Sequence, residues 1–239
     1  MITKSIDRYL ERNGYQKLSP KAVFFDMDGV LFDSMPHHSI AWVKAMNESG
    51  LEFSERDAYM NEGQTGTATI NGVFVHKNGR EATEEEKQAI YTLKAHYFEK
   101  LNAPETIPYV HELLKKIKKK GYQLFVVTGS AQPSLLSSLK NHFPGIFLKE
   151  NIISAFDVTH GKPHPEPYLK ALERAGVEPW EALVVENAPL GVKASSTAHI
   201  FTIGVNTGPL DRKVLTEYGA DIVLDSMQEL YEKWNDFGF

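Results

Sequence analysis

The sequence predicts an α/β protein whose core is a three-layer, Rossmann-like parallel sheet, and two features of the chain indicate it. From about residue 104 onwards, short apolar runs alternate with segments whose apolar residues recur at helical spacing. Apolar strands separated by helices of this length are typical of a parallel sheet covered on both faces. Polar residues follow several of the runs, and sites in such sheets lie at the carboxyl ends of the strands.

The composition is that of an ordinary globular protein. The 239 residues are 42% hydrophobic and 24% charged, with a net charge of -5. These values exclude a disordered class and give no global attraction for nucleic acid or anionic lipid. The chain has no cysteine, and hence no disulfide, thiolate nucleophile or cysteine metal site. No apolar run suits a transmembrane helix or a secretory signal, so we expect a cytoplasmic protein without nucleic-acid or membrane partners. We also expect a monomer.

The chain begins with an extension, residues 1–20, in which a short helix is expected over residues 4–12. Ile6, Tyr9 and Leu10 lie on one side of this helix at helical spacing. The segment carries no group typical of a reactive site, and we expect it to pack loosely on the core.

The first strand is expected at about residues 21–26 and ends in two acidic residues. Its apolar run leads to Asp26 and Asp28, and the chain then turns at Gly29. Burying two carboxylates at the end of a strand costs free energy unless a positive charge neutralises them. A divalent cation is the usual source of that charge.

Helix signals dominate residues 36–103, where strong strand patterns are absent. Ser54 followed by Asp57 opens one helix, and Thr83 followed by Glu86 forms a capping box for another. We therefore expect a small α-helical cap inserted after the first strand.

The cap divides the catalytic core into residues 21–35 and residues 104–239. Pro36, Pro104 and Pro108 stiffen the two joints between core and cap. We expect these joints to be hinge boundaries.

The remaining core elements alternate along the chain. Strands are expected in the runs QLFVVT, II at residues 152–153, ALVVE, IFTIGV and DIVL. Helices are expected near residues 107–120, 132–142, 165–175, 189–197 and 211–218, with a last helix from Ser226.

Polar residues that follow these strands could converge on the two aspartates. They are Thr128, Gly129 and Ser130 after the second strand, Lys162 in a loop, and Glu186 and Asn187 at the end of ALVVE. A hydroxyl and backbone amides at a helix start can hold phosphate oxygens, a lysine neutralises them, and acids bind magnesium. Together these groups predict a phosphoryl-transfer site with a carboxylate nucleophile.

Four segments in order resemble the motifs of the haloacid dehalogenase superfamily of phosphotransferases. They are FFDMDGVLFDS, VVTGS, the lysine before Pro163, and VVENAPLGV. The resemblance covers nearly all residues from 21 to 225, and the insert resembles the small cap of the beta-phosphoglucomutase group.

The resemblance implies a role for each matching residue and a Mg²⁺ cofactor. Asp26 would be the nucleophile that attacks phosphorus. Asp28 would be the general acid and then the base, with its backbone carbonyl on the metal. Thr128 and Lys162 would hold the transferring phosphoryl group, and we expect Gly129 and Ser130 to bind substrate beside them. An anionic nucleophile approaches an anionic phosphate only where Mg²⁺ and lysine offset the repulsion.

The fourth motif departs from the common Glu-Asp pattern, since it reads Glu186-Asn187. Asn187 would bind magnesium through its amide oxygen, more weakly than a carboxylate. Either the site tolerates this change, or Glu62 in the cap segment NEGQTG completes it. NEGQTG together with ENAP resembles a branch of the family, known from Bacteroides, that hydrolyses inorganic pyrophosphate.

That resemblance implies that Glu62 faces the substrate and joins the metal ligands. The implied set is Asp26, Asp28, Glu62, Glu186 and Asn187. The alternative is a solvated Glu62 in a turn.

We therefore predict a Mg²⁺-dependent phosphohydrolase that acts on a small phosphorylated substrate, first of all inorganic pyrophosphate. The rivals are a beta-phosphoglucomutase, a sugar-phosphate phosphatase, and an inactive regulatory binding module. No obvious arginine and lysine pair in the cap would clamp a sugar phosphate, which argues against the mutase. The intact Asp26, Asp28, Thr128 and Lys162 argue against an inactive module.

Four histidines are expected in structural roles. His37 and His38 open the first cap helix, where we expect them to face solvent. His160 and His164 lack a second ligand at convincing metal spacing, and we expect them to shape the Lys162 loop.

Overall fold

Six parallel strands form one sheet in the order β3-β2-β1-β4-β5-β6. The computed structural model describes residues 2–131 and 133–239, with the side chains of 133–136 outside the description. The strands are β1 (Ala22–Phe25), β2 (Gln123–Val127), β3 (Ile152–Ile153), β4 (Ala182–Glu186), β5 (Phe201–Val205) and β6 (Ile222–Leu224). The predicted parallel sheet is thereby confirmed, and each strand lies within its predicted run.

The register of β1 brings the ends of three strands together. Phe25 pairs with Val126 of β2 on one side and with Val185 of β4 on the other. The residues that follow these positions therefore leave the sheet side by side at its carboxyl edge.

Helices cover both faces of this sheet. Val23 and Phe25 belong to an apolar cluster on one face, and Ala22 and Phe24 belong to a second cluster, because successive strand residues point to opposite faces. The helices of the described residues are α1 (Ile2–Asn13), α2 (Met35–Glu48), α3 (Glu55–Met60), α4 (Gly66–Asn78), α5 (Glu84–Glu99), α6 (Val110–Lys119), α7 (Pro133–His142), α8 (Glu166–Ala175), α9 (Pro189–Thr197), α10 (Arg212–Glu217) and α11 (Met227–Lys233).

The N-terminal helix α1 packs more tightly than the sequence suggested. Tyr9 is fully buried in the larger cluster, with its ring 5.3 Å from that of Phe201. Its hydroxyl donates a hydrogen bond to the His199 carbonyl at 2.9 Å. The expectation of loose packing was wrong, because one aromatic residue anchors the helix on the sheet.

The segment α2 to α5, here called the insert, has an apolar cluster of its own. The predicted capping box of Thr83 and Glu86 is present, and the predicted helix start at Ser54 and Asp57 is also a capping box. Ser54 accepts a hydrogen bond from the backbone of Asp57, and Thr83 accepts one from the backbone of Glu86. The division of the chain into extension, core and cap stays a prediction.

One helix of the insert, α4, was not assigned from the sequence. It begins after Thr65, whose side chain accepts a hydrogen bond from the Ala68 backbone, and it ends at Gly79 in the left-handed conformation.

In the part of the chain that the structure describes, none of the helices combines the length and apolarity needed to cross a membrane.

Candidate active site

Side chains from two strand ends and a loop meet around one ammonium group. Lys162 Nζ donates to Asp26 Oδ1 at 2.6 Å, to Glu186 Oε1 at 2.6 Å and to the Val127 carbonyl at 2.9 Å. Burial alone would lower the pKa of Lys162, but the charges of Asp26 and Glu186 raise this pKa above its ordinary value. Lys162 is therefore a fixed cation beside Asp26.

Asp26 follows β1 and is 1% exposed. Burial raises the pKa of Asp26 to about 8; Lys162 opposes this rise, whereas the charges of Glu186 and Asp28 add to it. The single positive charge of Lys162 therefore does not balance the negative charges around Asp26.

Glu186 is fully buried, and four donors engage its carboxylate. Oε1 accepts from Lys162 and from the Tyr168 hydroxyl, which lies at 3.0 Å. Oε2 accepts from the backbone amides of Asn187 and Ala188, both at 2.9 Å. These bonds make Glu186 a positioning group for Lys162, and its membership of a metal set stays a prediction.

The proposed phosphoryl-binding residues lie next to Asp26. Thr128 is 3% exposed and accepts a hydrogen bond from the Ser130 backbone at 3.0 Å. Thr128, Gly129 and Ser130 line the same cavity as the two aspartates. The geometry therefore brings these predicted residues together.

Asp28 belongs to a chain of hydrogen bonds that reaches into the insert. Asp28 Oδ1 lies 2.5 Å from the Ser34 hydroxyl and 3.1 Å from His38 Nε2, and His38 Nδ1 lies 2.9 Å from Lys94 Nζ. If Lys94 donates to Nδ1, then His38 carries its proton on Nε2 and donates it to Asp28. His38 is buried, so the expectation that it faces solvent was wrong.

The pKa values in this chain follow from burial and charge. Burial alone would raise the pKa of Asp28, but the charge and hydrogen bond of His38, the Ser34 hydroxyl and the Lys94 charge lower it. Burial lowers the pKa of Lys94 to about 7. Burial, and next the charge of Lys94, lower the pKa of His38.

Glu62 reaches from the insert to the end of β4. Its Oε1 accepts a hydrogen bond from Asn187 Nδ2 at 2.7 Å, and the residue is 6% exposed. The alternative expectation, that Glu62 is exposed to solvent in a turn, was therefore wrong. Burial, and then the charge of Asp26, raise the pKa of Glu62 well above its ordinary value.

These donors fit a divalent cation such as Mg²⁺. Asn187 Oδ1 is buried without a hydrogen-bond partner, and the raised pKa values of Asp26 and Glu62 indicate a deficit of positive charge. Oxygen donors of this kind suit magnesium. In the described ranges, no three histidine, aspartate or glutamate side chains are arranged so that they could hold a metal ion by themselves. The predicted set also relies on the Asp28 carbonyl and the Asn187 amide.

A small cavity of about 50 Å³ lies between the sheet edge and the insert. A water needs about 10–15 Å³ on the same measure, so the cavity has room for only a few water-sized groups. Within the described residues no arginine lines it, and Lys94 is the one lining lysine. The lining also includes Asp26, Asp28, Glu62, Thr128, Gly129 and Ser130.

Comparison with known protein families shows to which family the chain belongs. The family model of the haloacid dehalogenase-like hydrolases matches residues 20–199, a range that contains every polar group described above. The chain belongs to the haloacid dehalogenase-like hydrolases. It is an enzyme of the phosphatase type within this family.

The names of proteins similar to this chain state different activities. Hexitol phosphatase A of Escherichia coli (strain K12) is 30% identical over 215 residues, covering 88% of this chain and 93% of that protein. Pyrophosphatase PpaX of Bacillus velezensis is 29% identical over 212 residues, covering 87% and 94%. A solved structure from Bacteroides vulgatus, with the provisional name beta-phosphoglucomutase, is 49% identical with a TM-score of 0.95. It covers 99% of this chain and 96% of its own.

Three residues at the site of this haloacid dehalogenase-like hydrolase were missed from the sequence: Ser34, Lys94 and Tyr168. A signal existed for Lys94, which lies midway between Ile90 and Phe98 at helical spacing on α5. A lysine in the middle of an apolar stripe is buried, and a buried lysine needs a partner. Ser34 and Tyr168 had no comparable signal.

His160 and His164 lie close together in the loop that carries Lys162. His164 Nδ1 accepts a hydrogen bond from the Glu166 backbone at 3.2 Å, and its ring lies 4.9 Å from that of His160. Both residues flank Lys162 in the chain, as expected for a loop-shaping role.

Proposed function

We propose that the protein hydrolyses inorganic pyrophosphate to phosphate through an aspartyl phosphate, with Mg²⁺ as cofactor. The observation that carries this proposal is the contact of Glu62 with Asn187, which leaves a cavity of about 50 Å³. So small a space favours an inorganic leaving group over one that carries a sugar ring. The similarity to pyrophosphatase PpaX supports the same substrate.

Asp26 is the nucleophile in this mechanism. One of its carboxylate oxygens forms a bond to phosphorus while the bridging bond to the leaving phosphate breaks. Lys162, 2.6 Å from Asp26, offsets the charge between nucleophile and substrate. The Thr128 hydroxyl and the Gly129 amide bind the transferring phosphoryl oxygens. Ser130 lies beside them, and its amide donates to Thr128 Oγ1.

Asp28 moves the protons. Because its pKa is lowered, Asp28 must first take up a proton, which it then gives to the leaving phosphate in the first step. It takes a proton from the attacking water in the second step, when the aspartyl phosphate is hydrolysed. Ser34 and His38 orient its carboxyl group through their hydrogen bonds.

The groups that would hold Mg²⁺ are the Asp26 carboxylate, the Asp28 backbone carbonyl, Asn187 Oδ1 and the carboxylates of Glu62 and Glu186. When bound, the ion supplies positive charge that stabilises the phosphoryl oxygens in the transition state.

Two other activities remain as rivals, a beta-phosphoglucomutase and a sugar-phosphate phosphatase. The names of the Bacteroides vulgatus protein and of hexitol phosphatase A favour them. Against both stands the small cavity, whose lining lysine already contacts His38. An inactive binding module is disfavoured by the contacts that Asp26 and Lys162 make.

Release of phosphate with Mg²⁺ from pyrophosphate and from a panel of hexose phosphates tests the proposal. We expect the highest kcat/KM for pyrophosphate. A preference of about tenfold or more for a hexose phosphate, equivalent to about 1.4 kcal/mol in the barrier, would overturn it. Interconversion of hexose phosphates without net phosphate release would establish the mutase instead.

A further inference from the structure

The insert loop that carries Glu62 rests on two glycines of the core, Gly129 and Gly161, here called the glycine seat. A Cβ placed on Gly129 would lie 2.1 Å from the Gly63 carbonyl oxygen and 2.9 Å from the Gln64 carbonyl oxygen. Both obstacles are backbone atoms, so only movement of the loop could relieve the clash.

The second position of the glycine seat meets a side chain. A Cβ on Gly161 would lie 2.7 Å from Thr65 Cγ2 and 3.3 Å from the Thr65 backbone nitrogen. Gly129 and Gly161 both lack a positive φ, so alanine could adopt their backbone conformations. The missing Cβ therefore serves the contact between loop and core rather than the local turn.

The position of this loop decides whether Glu62 reaches Asn187. The 2.7 Å hydrogen bond between them uses Asn187 Nδ2 and leaves the buried Oδ1 without a partner. If a methyl group on the glycine seat lifted the loop, Glu62 would withdraw from Asn187 and the cavity would widen.

We propose that Gly129 and Gly161 determine substrate specificity by letting the Glu62 loop descend onto the core. The two positions without Cβ allow the deep closure that suits an inorganic leaving group. A methyl group at either position favours larger phosphate esters over pyrophosphate. This inference rests on the proposed function and deepens it.

Gly161→Ala is the first test. We expect kcat/KM for pyrophosphate to fall by about ten- to a hundredfold, and the value for glucose 6-phosphate to fall less. Thr65→Ser removes Cγ2 but keeps the hydroxyl that caps α4, so Gly161→Ala with Thr65→Ser should recover much of the loss. Gly129→Ala, which meets backbone atoms, should not be rescued by Thr65→Ser.

The matched control is Gly72→Ala on α4. Gly72 is exposed, has no heavy atom within 4 Å of an added Cβ, and has no positive φ. We expect unchanged kinetics for both substrates.

Closure can be measured independently of turnover, because the chain has no cysteine. Ala89→Cys on α5 and Glu173→Cys on α8 place spin labels at exposed positions on the insert and on the core. With Mg²⁺ and methylenediphosphonate, we expect a longer distance between the labels in Gly161→Ala, and restoration of the distance by Thr65→Ser.

The two proposals fail in different ways. Slow hydrolysis of pyrophosphate by the unmodified protein would overturn the proposed function, whereas the label distances would still test the glycine seat. Label distances in Gly161→Ala equal to those of the parent would overturn the glycine seat. A longer distance with an unchanged ratio of the two kcat/KM values would overturn its role in specificity.

Discussion

At the scale of single residues, Asp26→Asn tests the nucleophile. Asparagine keeps the size of the side chain but lacks an anionic oxygen, so we expect turnover to fall by about a thousandfold or more. Phosphate release measures the effect, and thermal unfolding checks that the fold persists. Asp33→Asn is the control, because Asp33 is exposed in the same segment; residual activity near the parent level in Asp26→Asn would contradict the assignment.

Glu62→Gln tests the proposed metal ligand. The amide oxygen can still accept from Asn187, but the negative charge is gone, so we expect kcat to fall by about ten- to a hundredfold. The Mg²⁺ concentration for half-maximal rate should rise, as measured from rates across a magnesium series. Glu52→Gln is the control, since Glu52 is exposed on the insert. An unchanged magnesium profile in Glu62→Gln would exclude Glu62 from the metal set.

Lys94 gives a prediction about pH and stability. Burial lowers its pKa from 10.5 to about 7 in the folded protein, so between these values the unfolded chain binds more protons. Lys94 therefore raises the free energy of unfolding as pH rises from about 7 towards 10.5. The rise is at most about 1.4 kcal/mol per pH unit.

Urea unfolding without added magnesium, repeated across this pH range, measures the effect of Lys94. The unfolding free energy of the parent protein should rise with pH relative to that of Lys94→Met. Parallel curves for the two proteins would show that Lys94 keeps its proton in the folded state.

The sequence predicted that Asp26 and Lys162 belong to the site, but it did not predict the groups around Asp28. Asp26 and Lys162 were predicted because motif spacing and strand ends specify them locally. The contact of His38 with Lys94 depends instead on which faces of α2 and α5 meet. That relation is set by packing between distant segments, which helical periodicity alone does not specify.

At the scale of elements, the start of α5 offers a test of helix capping. Thr83 accepts a hydrogen bond from the backbone of Glu86, and Thr83→Ala should lower the unfolding free energy by about 1 kcal/mol. Thr83→Ser keeps the hydroxyl and should lose much less, which denaturant unfolding of both variants can measure. Equal losses would assign the effect to the methyl group.

Helix α4 was missed for a reason found in its own composition. The segment Thr67–Val75 is rich in β-branched residues and contains Gly72, and both features lower helix propensity. The helix is specified by Thr65 at its start and by burial of Ile70 and Phe74 in the insert. Tertiary packing therefore outweighs local preference here.

At the scale of the whole molecule, the parallel sheet was predictable because every strand is an apolar run between helices. The tight packing of α1 was not predictable from its sparse apolar residues. Tyr9 fills a site formed partly by Phe201, and hence by a strand close to the other end of the chain.

The central place of β1 also has a consequence for the order of folding. β1 is synthesised first among the strands, yet its partners Val126 and Val185 follow the whole insert. We expect the insert, whose contacts are local in sequence, to gain protection from hydrogen exchange before Phe25 does. Pulse-labelled exchange during refolding measures this, and earlier protection of Phe25 would contradict it. Asp26 and Asp28 would then be among the first site residues to leave the ribosome and among the last to reach their working positions.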